Sequence, residues 1–240
     1  MIIRYETAKE SQAWHRPSDF LKNFLAGGEY RQILEVGSGA NPTLAPDYVR
    51  ANSLHYVTSD VDKDELKKAA AAFECLVVDF SANVDPALFG KFDCVFSHAV
   101  NEHIRDAAKY HRNIFNILRP GGVAVHCFTT LWAVPFALNR LLPDSLTDML
   151  LKRFAPRDEV HHGKFKAYYR WCRGPTPVMI QRFQSLGYEI LEYIGCFGHY
   201  YYGKKLPWLH RLEEIKMRYL LRHPVPQLCS YSTVILRKPQ

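Results

Sequence analysis

The stretch ILEVGSGANP, residues 33–42, is an apolar run that stops in two glycines. Gly37 and Gly39 can turn the chain tightly and let a flat or anionic ligand come close to the backbone. Glu35 precedes them and Ser38 lies between them. Asp60 ends a second apolar run, LHYVTSD, where a carboxylate can accept hydrogen bonds from the two hydroxyls of a ribose. Val61 follows it, and Asp62 competes with it as the nearest other acid. Asp79 and Phe80 end a third run, LVVDF, in position to meet an adenine edge. A fourth, FDCVFSHAVNEHI, brings Ser97, His98, Glu102 and His103 to the same rim. An imidazole titrates near neutrality, so His98 or His103 is suited to take a proton from a hydroxyl. Either is equally at home as a structural residue at a strand end. The third glycine of the dinucleotide fingerprint is missing, which argues for a nucleoside ligand without a pyrophosphate and against NAD.

These residues need a scaffold that delivers strand ends to one edge. Strands are expected at 33–37, 54–59, 75–78, 93–97, 123–128, 188–195 and 229–236. Helices are expected at 63–73, 104–118, 177–186 and 206–222. Asp62 should cap the first, with Glu65 as its capping-box partner. Ile104, Ala107, Ala108, His111, Ile114, Phe115 and Leu118 share one face of the second, and RPGG at 119–122 should turn the chain into the next strand. Alternation of this kind gives an α/β fold, a parallel sheet with helices on both faces. Ligands of such sheets bind outside the carboxyl ends of the strands. The rhythm breaks twice, at 129–176 and 196–227. The first break is expected to be a helical cap inserted on the acceptor side, with its YYRW motif lining a pocket. The second is a helical insertion before the last strand. Residues 1–240 otherwise read as one domain.

The chain has 240 residues, 48% of them apolar, and a formal charge of +7. That is enough for one large α/β domain. The charge suits anionic substrates, nucleic acid or acidic lipid without requiring any of them. The six cysteines form no CxxC pair, so a zinc ribbon is not expected. No secretory signal opens the sequence and no apolar run is long enough to span a bilayer, which makes a cytoplasmic protein the expectation. The number of copies in the assembly stays open.

ILEVGSGANP, YVTSDVDKDEL, LVVDF, FDCVFSHAVNEHI and ILRPGG occur in this order at suitable spacing. Together they resemble the class I S-adenosylmethionine-dependent methyltransferases, over residues 30–128 and more loosely at 177–195 and 229–236. The resemblance implies a Rossmann-like, seven-stranded, mostly parallel sheet whose last strand is antiparallel. It implies S-adenosylmethionine as cofactor, with Glu35, Gly37 and Gly39 lining the methionine portion. Asp60 would meet the ribose, Asp79 and Phe80 the adenine, and Ser97 and His98 the sulfonium. Glu102, His103 and Ile104 resemble the small-molecule subgroup that methylates quinone rings and sugars.

The expected acceptor is a small molecule, or one linked to a lipid or sugar, methylated at oxygen. A nucleic-acid acceptor is disfavoured, because 97–102 lack the Asn/Asp-Pro-Pro-aromatic motif of base methylation and no Pro-Cys motif is present. A non-catalytic cofactor-binding module is the remaining alternative. Glu102 and His103 could hold a metal, but no further ligand cluster joins them, so none is expected. His126 reads as core. His161 and His162 in the first insertion are further candidate bases. The helix at 206–222 places Leu209, Leu212, Ile215 and Tyr219 on one face, with Lys204, Lys205, Arg211, Lys216, Arg218 and Arg222 around it. That face packs on the sheet, or it meets a lipid surface or partner helix.

Overall fold

Continuous apolar runs form strands here because both faces of a parallel sheet are covered. The computed structural model describes residues 1–69, 72–130, 166–199 and 207–240. Its strands are β1 (Ile2–Thr7), β2 (Gln32–Val36), β3 (His55–Asp60), β4 (Glu74–Val77), β5 (Phe92–His98), β6 (Leu118–Thr129), β7 (Glu189–Phe197) and β8 (Tyr231–Arg237). They form one sheet in the order β1-β7-β8-β6-β5-β2-β3-β4. β8 runs antiparallel to both its neighbours, and the other pairings are parallel. The seven expected strands all form, and the closing strand is the antiparallel one. The sheet has eight strands rather than seven because β1 adds to the edge, parallel to β7. Its segment, IIRYET, is half-exposed and interrupted by Arg4, which pairs with Glu192 at 2.5 Å. An edge strand needs no continuous apolar run, so its pattern is faint.

The helices are α1 (Gln12–His15), α2 (Pro17–Ala26), α3 (Pro46–Ala51), α4 (Lys63–Ala69), α5 (Ala107–Ile117), α6 (Pro177–Ser185) and α7 (Pro207–Arg222). Ala13, Leu21, Leu25 and Val49 of α1, α2 and α3 cover Ile33, Cys94, Phe96 and Val125 on one sheet face. Ile114 and Ile117 of α5, with Met179 and Phe183 of α6, cover Leu34, Val95, Ala124 and Phe128 on the other.

Three local expectations are corrected. Asp62 caps α4, accepting from the amides of Asp64 at 2.8 Å and Glu65 at 3.2 Å. The reciprocal half of the capping box is absent, because the Asp62 amide donates to Asp60 and the Glu65 carboxylate takes Lys68. Helix α5 starts at Ala107 rather than 104. Asp106 is its N-cap, accepting from the Lys109 amide at 3.0 Å, and Asn101–His103 form a separate 3₁₀ turn. RPGG does not break the chain between helix and strand. It is a bulge inside β6: Phe92 pairs with Leu118 and Cys94 with Val123, so Asp93 alone faces residues 119–122. Residues 131–165 of the first insertion, with His161, His162 and most of the expected cap, and 200–206 of the second, with Lys204 and Lys205, lie outside the described residues.

Between β5, β6 and α5 the core holds polar rings. His111 and His126 are both buried, with ring centroids 5.0 Å apart. Burial lowers the pKa of His126 to about 3 and that of His111 well below its usual value. Burial also lowers His98 and His199. A base whose folded pKa is depressed binds fewer protons folded than unfolded, so its contribution is complete above about pH 6.5 and is lost as pH falls. The buried Glu35 and Glu102, raised by burial, act in the opposite sense, but the histidines outnumber them. Stability is therefore expected to drop on acidification below about pH 6.5, with each such histidine adding a slope of up to about 1.4 kcal/mol per pH unit. Urea midpoints between pH 7.5 and 5 measure it, and a flat profile would contradict the buried neutral imidazoles.

Candidate active site

The carboxyl ends of β2, β3, β4 and β5 lie side by side in the sheet, and each runs into a loop carrying one of the expected residues. After β2, Gly37 has φ +71° and Gly39 φ +51°. The amides of Gly37 and Ser38 donate to the Ser59 carbonyl at 2.7 and 3.1 Å, folding the loop over β3. Gly37 must be glycine for a second reason: a Cβ would sit 2.4 Å from Val100 Cγ2 in the loop after β5. The Ser38 hydroxyl is buried without a hydrogen-bond partner among the described residues.

Glu35 lies beneath this loop rather than on its surface. Its carboxylate accepts from the Thr43 amide at 2.9 Å, the Thr43 hydroxyl at 2.5 Å and the Tyr56 hydroxyl. A buried carboxylate with these donors pins both ends of the glycine loop to β3.

Asp60 links the two neighbouring loops. Its Oδ2 accepts from the Gly39 amide at 3.0 Å and its Oδ1 from the Asp62 amide at 2.9 Å. The residue is half-buried, and each carboxylate oxygen retains a second lone pair for a ligand hydroxyl. Val61 beside it is exposed. Asp79 is exposed, with Oδ1 taken by the Ser81 amide and hydroxyl at 2.8 and 2.7 Å. Phe80 is buried, and its carbonyl accepts from Asn113 Nδ2 of α5 at 2.9 Å.

The residues at the carboxyl end of β5 divide between the two sheet faces. Ser97 is buried on the α5 side, between Asn101 Oδ1 at 3.1 Å and His126 Nδ1 at 2.7 Å. His98 points the other way. Its ring packs on Trp14 of α1 at a centroid distance of 4.9 Å, and Trp14 in turn packs on Tyr231 at 4.3 Å. Burial keeps its pKa below the usual value, while the Trp14 backbone pulls it upward, and its Nε2 is buried without a hydrogen-bond partner among the described residues. Ala99 follows with φ +57°, a left-handed conformation that costs a non-glycine residue about 1–2 kcal/mol. Such outliers cluster where surrounding structure over-determines the backbone.

Glu102 and His103 do not converge on one point. The Glu102 carboxylate is buried and accepts from the Thr129 hydroxyl at 2.7 Å, at the end of β6. Its carbonyl accepts from the Tyr168 and Tyr169 amides at 2.7 and 3.0 Å. The His103 Nδ1–H donates to the Lys166 carbonyl at 3.3 Å. This turn therefore clasps the chain where it leaves β6 and where it returns. Among the described residues no cluster of three or more His, Cys, Asp or Glu side chains is placed to hold a metal. A cleft of about 510 Å³ opens next to this clasp, lined by Ser81, Arg105, Arg170 and Trp171 among others.

Sequence reading missed Thr43, Tyr56, Val100, Asn113, Thr129 and Trp14. Tyr56 and Val100 stand inside the quoted motifs, but each of the six acts on a residue at least eight positions away, which no local pattern reveals. The buried Ser38 hydroxyl without a partner and the spare lone pairs of Asp60 fit a bound nucleoside with an amino-acid tail. If Asp60 holds the ribose, Asp60→Ala should weaken S-adenosylmethionine binding by on the order of 1–3 kcal/mol, because two hydroxyls lose a charged acceptor. Asp62→Ala should instead cost about 1 kcal/mol of stability through the lost cap. Calorimetry and melting of both variants separate the roles, and a reversal would move the ribose to Asp62.

A family profile described as a methyltransferase domain matches residues 34–126, from β2 into β6. No curated protein sequence matches the chain. Several solved structures share the fold at low identity. Phosphoethanolamine N-methyltransferase 2 of Haemonchus contortus, solved with S-adenosylhomocysteine and with S-adenosylmethionine, is 16% identical in the first of these complexes. The similarity covers 94% of this chain and 53% of that one, at a TM-score of 0.58. An S-adenosylmethionine-dependent methyltransferase from Mesorhizobium loti is 15% identical over 95% of this chain and 99% of that one, at 0.51. The cyclase SpnF is 16% identical over 100% and 87%, at 0.53. Residues 34–126 thus match a methyltransferase domain, and the chain shares its fold with solved S-adenosylmethionine-dependent methyltransferases.

Proposed function

We propose that the chain transfers a methyl group to an oxygen of a small-molecule acceptor, free or linked to a lipid or sugar. His98 carries this reading: an imidazole kept uncharged by burial, at the carboxyl end of β5, with a buried Nε2 lacking a partner among the described residues. A neutral imidazole is the form that accepts a proton from a hydroxyl.

S-adenosylmethionine, when bound, supplies a methyl group already activated as a sulfonium. The chain's share is placement and proton removal. Gly37, Ser38 and Gly39, braced from below by Glu35, receive the methionine portion. Asp60 accepts from the ribose hydroxyls, with Val61 beside them, and Asp79 and Phe80 border the adenine. Ser97 acts from inside, holding Asn101 and His126. His98, or His103 on the next turn, takes the acceptor proton. Glu102 and His103 hold the two described ends of the 129–176 segment, at Thr129 and at Lys166 to Tyr169, beside the proposed acceptor side.

Labelled S-adenosylmethionine with a panel of phenols, quinols, sugars, amines and RNA tests the reading. Acceptor-dependent release of S-adenosylhomocysteine with an ether product supports it. Methyl found on nitrogen, carbon or RNA overturns the oxygen assignment.

A further inference from the structure

Helix α7 is apolar on two sides and, among the described residues, packs with only one. Met217, Leu220 and Leu221 sit against Tyr5, Phe197 and Cys229. The side that the sequence leaves to the sheet, a lipid surface or a partner helix faces outward. Trp208, Leu212, Ile215 and Tyr219 are 63%, 54%, 61% and 61% exposed. At about 100° per residue these four fall within about 60° of arc on the helix surface. Arg211, Arg218 and Arg222, all exposed, border the stripe along one side, and Lys216 borders it on the other.

The acids of this helix lie away from the stripe. Glu213 pairs with Lys216 at 2.7 Å, and Glu214 approaches His210 at 3.6 Å and Arg218 at 3.8 Å. The outward face thus presents large apolar groups and cations with no carboxylate among them. We propose that this face of α7 lies flat on an anionic lipid surface. The apolar stripe would enter the boundary between headgroups and acyl chains, and the arginines would meet lipid phosphates. Trp208 and Tyr219 combine a ring with a polar tip, which suits that boundary. Charge decides between occupants. A neutral protein groove would leave the arginine row unanswered, and a nucleic acid would leave Leu212 and Ile215 in water. The overall charge of +7 has the same sign as the face. The proposal stands apart from the methyl-transfer reading, and its test needs no acceptor.

Flotation of the full chain with vesicles of phosphatidylcholine alone, or with about one third phosphatidylserine, tests it. Binding is expected only to the mixed vesicles and should weaken in high salt. Trp208 emission should shift to the blue on binding, and the shift should vanish in Trp208→Phe. Leu212→Glu/Ile215→Glu should lose at least about tenfold in partitioning, and Arg211→Glu/Arg222→Glu a similar amount. All four sites are exposed, so unchanged melting confirms that the variants fold. No binding to mixed vesicles, or binding that survives both double variants, overturns the proposal. Self-association in light scattering that the Leu212→Glu/Ile215→Glu variant abolishes, with no vesicle binding, assigns the face to a second copy and overturns it equally.

Discussion

Gly37→Ala is expected to lower affinity for S-adenosylmethionine by tenfold or more and to destabilise the protein by about 2–3 kcal/mol. Two independent terms add. Alanine at φ +71° pays the left-handed penalty of about 1–2 kcal/mol. Its Cβ would then meet Val100 Cγ2 at 2.4 Å, a separation that forces either the loop after β2 or the loop after β5 to move. Those loops are the two walls of the proposed cofactor cleft, so the strain acts on the ligand as well as on the fold. Gly39→Ala separates the terms, because there the nearest atoms lie at 3.7 Å and only the conformational penalty remains. Val100→Ala in the Gly37→Ala background should restore part of the affinity by removing both methyls from the collision. Calorimetry and thermal melting on the four proteins measure this. Equal losses at Gly37 and Gly39, with no rescue, would show that the contact with Val100 does not matter.

What the sequence reveals and what it hides divide along a physical line. Strands β2, β3 and β5 to β8 are legible because burial on both faces demands apolar runs, and the edge strand β4 because CLVV is a short apolar run in its own right. The Asp62 cap is legible because capping is a local hydrogen bond between a side chain and amides two and three residues on. β1 is not, since an edge strand with Arg4 and Glu6 carries no such run. The inner role of Glu35 is hidden for a different reason. An acid ahead of a glycine loop reads as a ligand contact, yet its donors are Thr43 and the Tyr56 hydroxyl, which only the β2–β3 pairing brings beneath it. The two apolar faces of α7 show the limit of periodicity. Leu212, Ile215 and Tyr219 form the more regular stripe, but Met217, Leu220 and Leu221 are the residues that find partners. A helical pattern says that a face is apolar and leaves open what covers it.

His98→Ala is expected to reduce turnover by roughly 100- to 10,000-fold, the usual worth of a positioned general base, with little change in cofactor affinity. Its imidazole is held by Trp14 on one side and by the end of β5 below, so its orientation is fixed before any acceptor arrives. His103→Ala should cost much less turnover, because the His103 Nδ1–H already serves the clasp through the Lys166 carbonyl. Removing the ring also removes a packing partner of Trp14, so His98→Gln serves as a second variant that fills the space without a comparable base. The pH profile gives a readout that packing alone would not move. Burial lowers the pKa of His98, so the proton-accepting neutral form persists below the usual histidine range near 6.5. Turnover should therefore rise with pH along a limb whose midpoint lies below 6.5 in the wild type, and that limb should disappear in His98→Gln. A midpoint well above 6.5 would assign the proton to another group. Both variants within a few-fold of wild type would mean that proximity to the sulfonium suffices, or that a base lies in the 129–176 segment, where His161 and His162 stand.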